Sequence, residues 1–288
     1  MAPGAKRRTA PVQGEVSMAI ATAAQASKTP VKIPVRKISN EDLRLSRREG
    51  LGDFGAMRGD LFFLGLLYPL IGIAAAVMTT NAPLIPFLFP IVAGVGLLGP
   101  VAAVGFYELA RRREEGLESG WRHFLDVRKR PAVDDMGIVA GLLLVVFLAW
   151  LIAAGLLYVA LFGWATPTSV TGFFADVFTT PRGWALILIG AVVGAVFGWV
   201  VLALSVASLP MLVDRDVTAA EAVSASWRAA HANKPQMIRW GLTVLVVLVL
   251  GSIPAFIGLA IVLPWLGYST WHLYTRLIDR QAIARRSN

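Results

Sequence analysis

Four stretches of this chain, Leu61 to Tyr107, Met136 to Phe162, Gly183 to Leu212 and Trp240 to Thr275, contain no Asp, Glu, Lys or Arg. A helix needs about 20 apolar residues to cross a bilayer core. The connectors carry the charge, and they carry it unevenly. Of 27 Lys and Arg residues, all but Arg182 fall in segments that a six-crossing path places on one face. That is the cytoplasmic-positive bias of an inserted polytopic protein. The sequence predicts an all-α polytopic membrane helical bundle of six transmembrane helices, arranged as three hairpins. Both termini are cytoplasmic, and short cytoplasmic interfacial helices accompany the hairpins.

The run from Leu61 to Tyr107 is too long for one span and is interrupted by Thr79-Thr80-Asn81-Ala82-Pro83, giving spans over 61–78 and 86–107. A charge-dense connector, Glu108 to Asp135, precedes a third span over 136–162. The loop 163–182, with one Arg and one Asp, belongs outside, and a fourth span covers 183–212. Trp240 to Thr275 as one helix would reach about 54 Å at 1.5 Å per residue. Gly251-Ser252-Ile253-Pro254 offers a break, because Pro lacks the amide donor and clashes with the preceding turn. Spans over 237–251 and 255–274 follow. A single crossing there would instead place Arg276, Arg280, Arg285 and Arg286 outside. Trp164, Trp184, Trp240, Trp265 and Trp271 fall near span ends, where interfacial belts form.

Residues 1–40, rich in Ala, Thr, Ser, Pro and Lys, read as a disordered basic tail. The membrane domain takes 41–278, and 279–288 form a basic C-terminal tail. Lys6, Arg7 and Arg8 suggest a signal peptide, but Gln13, Glu15 and Ser17 interrupt the apolar core that one needs.

Hydrophobic residues make up 56% and charged residues only 16% of the chain, whereas soluble domains carry about 25% charge. The net charge of +9 sits at the ends of apolar runs, which points to a bilayer with anionic head groups rather than to nucleic acid. The absence of cysteine excludes disulfides, thiolate metal sites and a Cys nucleophile.

Polar segments precede the hairpins, and Trp121-Arg122 recurs as Trp227-Arg228. Both pairs are expected at the head-group interface, as is Glu108 at the inner edge of the second span. Thr218-Ala219-Ala220-Glu221 reads as a capping box, opening a helix with Ala222, Ala225 and Ala229 on one side. Gly190, Gly194 and Gly198 form a smooth face for close helix packing, within the bundle or against another chain.

Catalytic templates are missing: there is no G-x-S-x-G, H-E-x-x-H or Walker loop, and no carboxylate pair inside a span. No enzyme activity, catalytic residue, metal site or cofactor is expected. Of three His, His123 and His231 lie in polar connectors. His272, one turn before Arg276, has two readings. It is an interfacial histidine bonded to a neighbouring helix or head group, or it binds a porphyrin iron or relays a proton.

Three landmarks carry a resemblance: Leu98-Gly99-Pro100 through Gly105-Phe106-Tyr107-Glu108, Leu209-Pro210 through Ala222 to Trp227-Arg228, and Leu263-Pro264 with Gly267-Tyr268-Ser269-Thr270-Trp271-His272. Over about residues 45–278 the chain resembles an uncharacterised bacterial multi-pass membrane family, a domain of unknown function. Some of its members carry a cytochrome c oxidase subunit label. The resemblance implies the bacterial cytoplasmic membrane and no established activity. A catalytic heme-copper subunit needs more His ligands than this chain has. Three functions stay open. The leading one is a non-catalytic accessory, assembly or scaffold component of a membrane complex, a respiratory one included, with that complex or a homo-oligomer as partner. The others are a carrier or channel for a neutral or lipid-like substrate, and a heme-binding or redox protein.

Overall fold

A computed structural model describes residues 33–56, 86, 99–164, 167, 169–253 and 258–284. The expected first span and most of the second lie outside them. A helix over residues 40–56 (α1) opens on a Ser39/Asp42 box. Ser39 Oγ accepts from the Asp42 amide at 3.2 Å, and the Asp42 carboxylate accepts from the Ser39 amide at 2.7 Å. One helical turn, Gly99–Ala102, leads into α2 (Val104–Glu114), and a 3₁₀ segment follows over Trp121–Lys129. Then come α3 (Val133–Phe162), α4 (Val170–Thr179), α5 (Pro181–Ser205) and α6 (Ser208–Asp214). The chain continues through α7 (Ala219–Ala232), α8 (Lys234–Ser252), α9 (Leu259–Leu277) and α10 (Arg280–Ala284). Among the described residues the only extended pairing is a bridge between Val35 and Ile278.

Three described helical stretches are long and apolar enough to cross a membrane: Val133–Phe162, Pro181–Asp214 and Lys234–Ser252. In the first two, only 6% of the most apolar window is buried within the protein. Ile138, Val145, Ile152 and Leu156 on α3, and Leu188, Val192 and Val196 on α5, are more than half exposed. At about 45 Å for its 30 residues, α3 matches a bilayer including its head groups.

The sixth expected span, α9, is of another kind. Its C-terminal half carries Ser269, Thr270, His272 and Arg276 and is buried by protein: Tyr268, Trp271, Leu273, Tyr274 and Leu277 are wholly inaccessible. The break before it falls where the sequence suggested, since α8 ends at Ser252 and α9 begins at Leu259. A Cβ on Gly258 would lie 2.7 Å from the Gly251 carbonyl, so the two helices meet with backbones in contact.

The principal core is not in the apolar middle of these helices. It is a layer at one end, built from Phe106 and Leu109 of α2, Leu209 and Met211 of α6, the alanines of α7, the C-terminal half of α9, and Ile33, Ile38 and Leu43. The Thr218/Glu221 capping box forms as read from sequence. Asp135 of α3 adds a second cap, accepting from the Ala219 amide at 2.6 Å. Ala222, Ala225 and Ala229 have no exposure, because small side chains let α7 lie close against α5 and α6. Where α5 gives way to α6, Ser226 Oγ takes the Ala207 amide at 3.1 Å, which satisfies a donor freed by the break.

At the opposite end, the segment expected as a loop contains α4. Ser169 caps it by accepting from the Gly172 amide, and Phe173 and Val177, spaced i and i+4, pack against Tyr158, Leu186 and Ile187. Local capping and an apolar stripe thus order a segment that looked merely uncharged. Arg182, the lone basic residue of this end, pairs with Asp176 at 3.1 Å and lies 4.8 Å over the Phe162 ring. Trp164 and Trp184 are exposed as a belt requires, but Trp240 and Trp271 belong to the core. Trp265 is tied inward by a hydrogen bond from its ring N–H to the Arg47 carbonyl at 3.1 Å.

Both expected tails are partly built into this layer. Ile33 is buried, the Arg36 amide donates to the Leu277 carbonyl at 2.8 Å, and Arg36 pairs with Asp279 at 2.9 Å. The packed chain therefore begins before residue 40 and continues past 278.

Candidate functional site

The C-terminal half of α9 collects polar partners from α1, α2 and α6. Glu49 and Asp53 lie one turn apart on α1, and His272 and Arg276 one turn apart on α9, so each pair shares a helix face. His272 Nε2 lies 2.8 Å from Asp53 and its Nδ1 lies 3.2 Å from Glu49. Arg276 donates to Glu49 at 2.7 Å. Asp53 also takes Arg113 of α2 at 2.8 Å. The helices can approach this closely because Gly50 faces Ser269: a Cβ there would sit 2.5 Å from the Ser269 backbone nitrogen.

Glu114 of α2 accepts from Trp271 Nε1 at 3.0 Å and from Arg280. Asp214, closing α6, accepts from the Tyr274 hydroxyl at 2.7 Å and lies 3.7 Å from Arg280. Between them, Arg111, Glu114, Glu115, Asp214, Arg215, Arg280 and Gln281 line a cavity of about 240 Å³. The Arg276 hydrogen bond holds the Glu49 carboxyl below its usual range. Burial works to raise Glu114, but Arg280 and then Trp271 outweigh it, and its carboxyl also lies low. Arg280 is itself resisted by burial and held protonated by Glu114 and Asp214.

Each residue singled out in the sequence can now be placed. Glu108 is buried at 1% exposure and makes a two-pronged pair with Arg111, at 2.7 and 3.0 Å. His272 lies in this cluster with both ring nitrogens facing carboxylates across the α1–α9 contact. Arg228 turns inward, donating to the Ile33 carbonyl at 2.7 Å, while Trp227 stays 40% exposed over His231. Trp121 and Arg122 are exposed, and Arg122 pairs with Glu118. Gly194 faces Trp150 of α3, a Cβ there meeting the ring at 3.1 Å. Gly190 faces Leu157 at 3.8 Å, and Gly198 faces open space. Gly194, and more loosely Gly190, face α3 within the chain, and Gly198 does not.

Glu49, Glu114, Asp214 and Asn233 were not singled out by sequence. Asn233, between α7 and α8, holds the N-terminal segment: its Oδ1 accepts from the Ile38 amide at 2.8 Å and its Nδ2 donates to the Arg36 carbonyl at 3.0 Å. Its only sequence signal is an Asn directly after a helix, which reads as an ordinary C-cap.

Apolar helices with lipid-facing flanks, joined at one end by a dense polar layer, define an integral membrane protein built as a helical bundle. Residues 88–214 match a family described as a predicted integral membrane protein (DUF2189), a domain of unknown function. The match covers α2 to α6 and includes Glu108, Arg111 and the glycine stripe. The sequence landmarks around Trp227 and His272 lie beyond it. No curated protein and no solved structure matches the chain.

Proposed function

We propose that the protein is a six-span membrane protein with both termini cytoplasmic, serving as a non-catalytic scaffold or assembly component of a larger complex in a bacterial inner membrane. The observation that carries this reading is where the charged side chains of the inner layer point. Asp53, Glu49, Glu114 and Asp214 are committed to His272, Arg113, Arg276 and Arg280 on other elements. Groups used in this way lock helix ends together. The same layer supports the topology: α3 leaves it beside α7, α5 returns to it through α6, α8 leaves from α7, and α9 returns against α1. Each of these excursions comes back to its starting side, and the hairpin expected from sequence over 61–107, most of it outside the described residues, would complete three. The basic connectors then all face the cytoplasm.

The test is mass spectrometry of the protein purified from its native membrane in mild detergent. A partner retained in fixed stoichiometry supports the scaffold. Recovery of the protein alone overturns it and turns attention to flux assays in vesicles. The carrier alternative draws on the cavity between α2, α6 and α10, whose guanidinium and carboxylate lining suits a charged solute better than a neutral or lipid-like one. The heme alternative requires a Soret band that disappears in His272→Ala.

A further inference from the structure

The 3₁₀ segment Trp121–Lys129 has two unlike sides. Phe124 and Val127 pack on the core, with Phe124 seated 5.0 Å from the Phe106 ring and directly over Gly105, where a Cβ would fall 2.4 Å from the Phe124 ring. At three residues per turn, Arg122, Leu125 and Arg128 line the outer side. Leu125 is 50% exposed, and Trp121, one residue before that row, is 58% exposed. Leu117, just upstream, is 47% exposed. Glu118 and Asp126 neutralise Arg122 and Lys129. Among the described residues, Arg128 and Arg130 have no carboxylate partner. The segment runs through Arg130-Pro131-Ala132 directly into α3, whose lipid-facing surface begins with Val133 and Ile138. It therefore sits at the level where the chain enters the bilayer.

From this placement we infer that the outer side of the 3₁₀ segment docks on the head-group layer of anionic phospholipid. Trp121 and Leu125 are seated among the glycerol groups, and Arg128 and Arg130 meet lipid phosphates. Two things select this occupant: uncompensated positive charge beside exposed aromatic and aliphatic side chains, and covalent continuity with the lipid-facing flank of α3. The inference rests on α3 crossing the membrane and is independent of the scaffold reading, which fails or stands by co-purification.

The chain contains no cysteine, so Leu125→Cys in the full-length protein gives a single labelling site. The protein, carrying an environment-sensitive fluorophore there, goes into nanodiscs of phosphatidylcholine alone or with phosphatidylglycerol. Quenching is read from spin-labelled head groups and from aqueous iodide, with Gln281→Cys as a reference beside the polar cavity. The expected result is head-group quenching and at least threefold protection from iodide relative to position 281. Protection should rise when phosphatidylglycerol is present, and Arg128→Gln with Arg130→Gln should abolish that rise. Equal iodide access at 125 and 281 in both lipids overturns the inference. So does protection that appears in detergent and grows with protein concentration, which would put a second copy of the chain on this surface.

Discussion

Substituting Gly50 by alanine tests the junction between α1 and α9 with one methyl group. A Cβ at Gly50 would fall 2.3 Å from Ser269 Oγ, 2.5 Å from its backbone nitrogen and 2.7 Å from its Cα. The hydroxyl can rotate away, but the backbone of α9 cannot, so the helices must part by about 1 Å to restore ordinary contact distances. Overpacking of this kind costs about 1–3 kcal/mol, and backbone obstruction puts this site at the upper end. Parting the helices also strains the His272 contacts to Glu49 and Asp53. Those groups are partly solvated, so their loss adds at most about 1 kcal/mol. Alanine in a helix returns about 1 kcal/mol relative to glycine, leaving Gly50→Ala roughly 2 kcal/mol less stable than wild type.

Gly52 and Gly55 supply the internal control, because a Cβ at either meets nothing within 4 Å. Gly52→Ala should gain about 0.5–1 kcal/mol. The two variants therefore differ by close to 3 kcal/mol, or roughly 5–10 °C in unfolding temperature. Thermal unfolding of the purified protein in one detergent reads the difference. If Gly50→Ala melts with or above Gly52→Ala, α1 does not lie against α9 and the cluster around His272 loses its basis.

Four other substitutions or conditions probe the rest of the layer. Asn233→Leu strands the Ile38 amide and the Arg36 carbonyl at a cost of about 1–3 kcal/mol. Tryptic cleavage at Arg36 and Lys37 should then rise about 5- to 150-fold, each 1.4 kcal/mol being about tenfold, and an unchanged rate would mean that Asn233 does not clamp the segment. Glu108→Gln leaves Arg111 buried beside a neutral amide with Glu115 as its remaining carboxylate, and should cost about 1–3 kcal/mol. Adding Arg111→Met should restore part of that loss, and a double variant no better than the single would count against a buried pair. Glu49 has a depressed carboxyl pKa in the fold, so its contribution is complete above the ordinary value of 4.5 and disappears as pH falls through the folded value. Wild type should therefore lose unfolding temperature below about pH 4.5 more steeply than Arg276→Gln, and equal slopes would refute the linkage. Gly194→Ile drives a branched side chain into Trp150 and should lower the unfolding temperature, whereas Gly198→Ala, facing open space, should not. Matching behaviour of the two would remove the glycine stripe from the α3–α5 contact.

What the sequence made legible was local. The lengths of α3, α5 and α8 follow from uncharged runs, the α8–α9 break from Gly251 through Pro254, and the α7 start from Thr218 and Glu221, whose partners lie three residues apart. The paired partners of the layer at one end of the bundle are another matter: His272 and Asp53 are 219 positions apart, Trp271 and Glu114 157, and Arg228 and Ile33 195. Nothing in residue type or spacing tells Glu49 which cation it will meet. The charge asymmetry made Arg276 and Arg280 look like topology signals, and the fold uses them as inter-helix ties as well. The loop expected over 163–182 hid α4 for a related reason, since its order depends on Phe173 and Val177 finding Tyr158 and Leu186.

The position of the core follows from what each solvent can supply. In lipid, burying a leucine against another helix gains little over leaving it against acyl chains, so association there relies on close backbone approach and polar ties. The α3–α5 contact conforms, with Gly194 against Trp150 and wide apolar flanks left to the bilayer. In the polar-rimmed layer at one end of the bundle, burial of apolar surface again drives packing, and there Leu109, Leu209, Met211, Trp271 and Leu273 are fully enclosed. Ion pairs placed at the rim of that core are partly desolvated, which strengthens their attraction, and they join α1, α2, α6 and α9 at defined points. Helices anchored at one end by such a layer need few specific contacts along their length, which explains how α3 can bury only Met136, Val139, Leu143 and Trp150 and still hold its place.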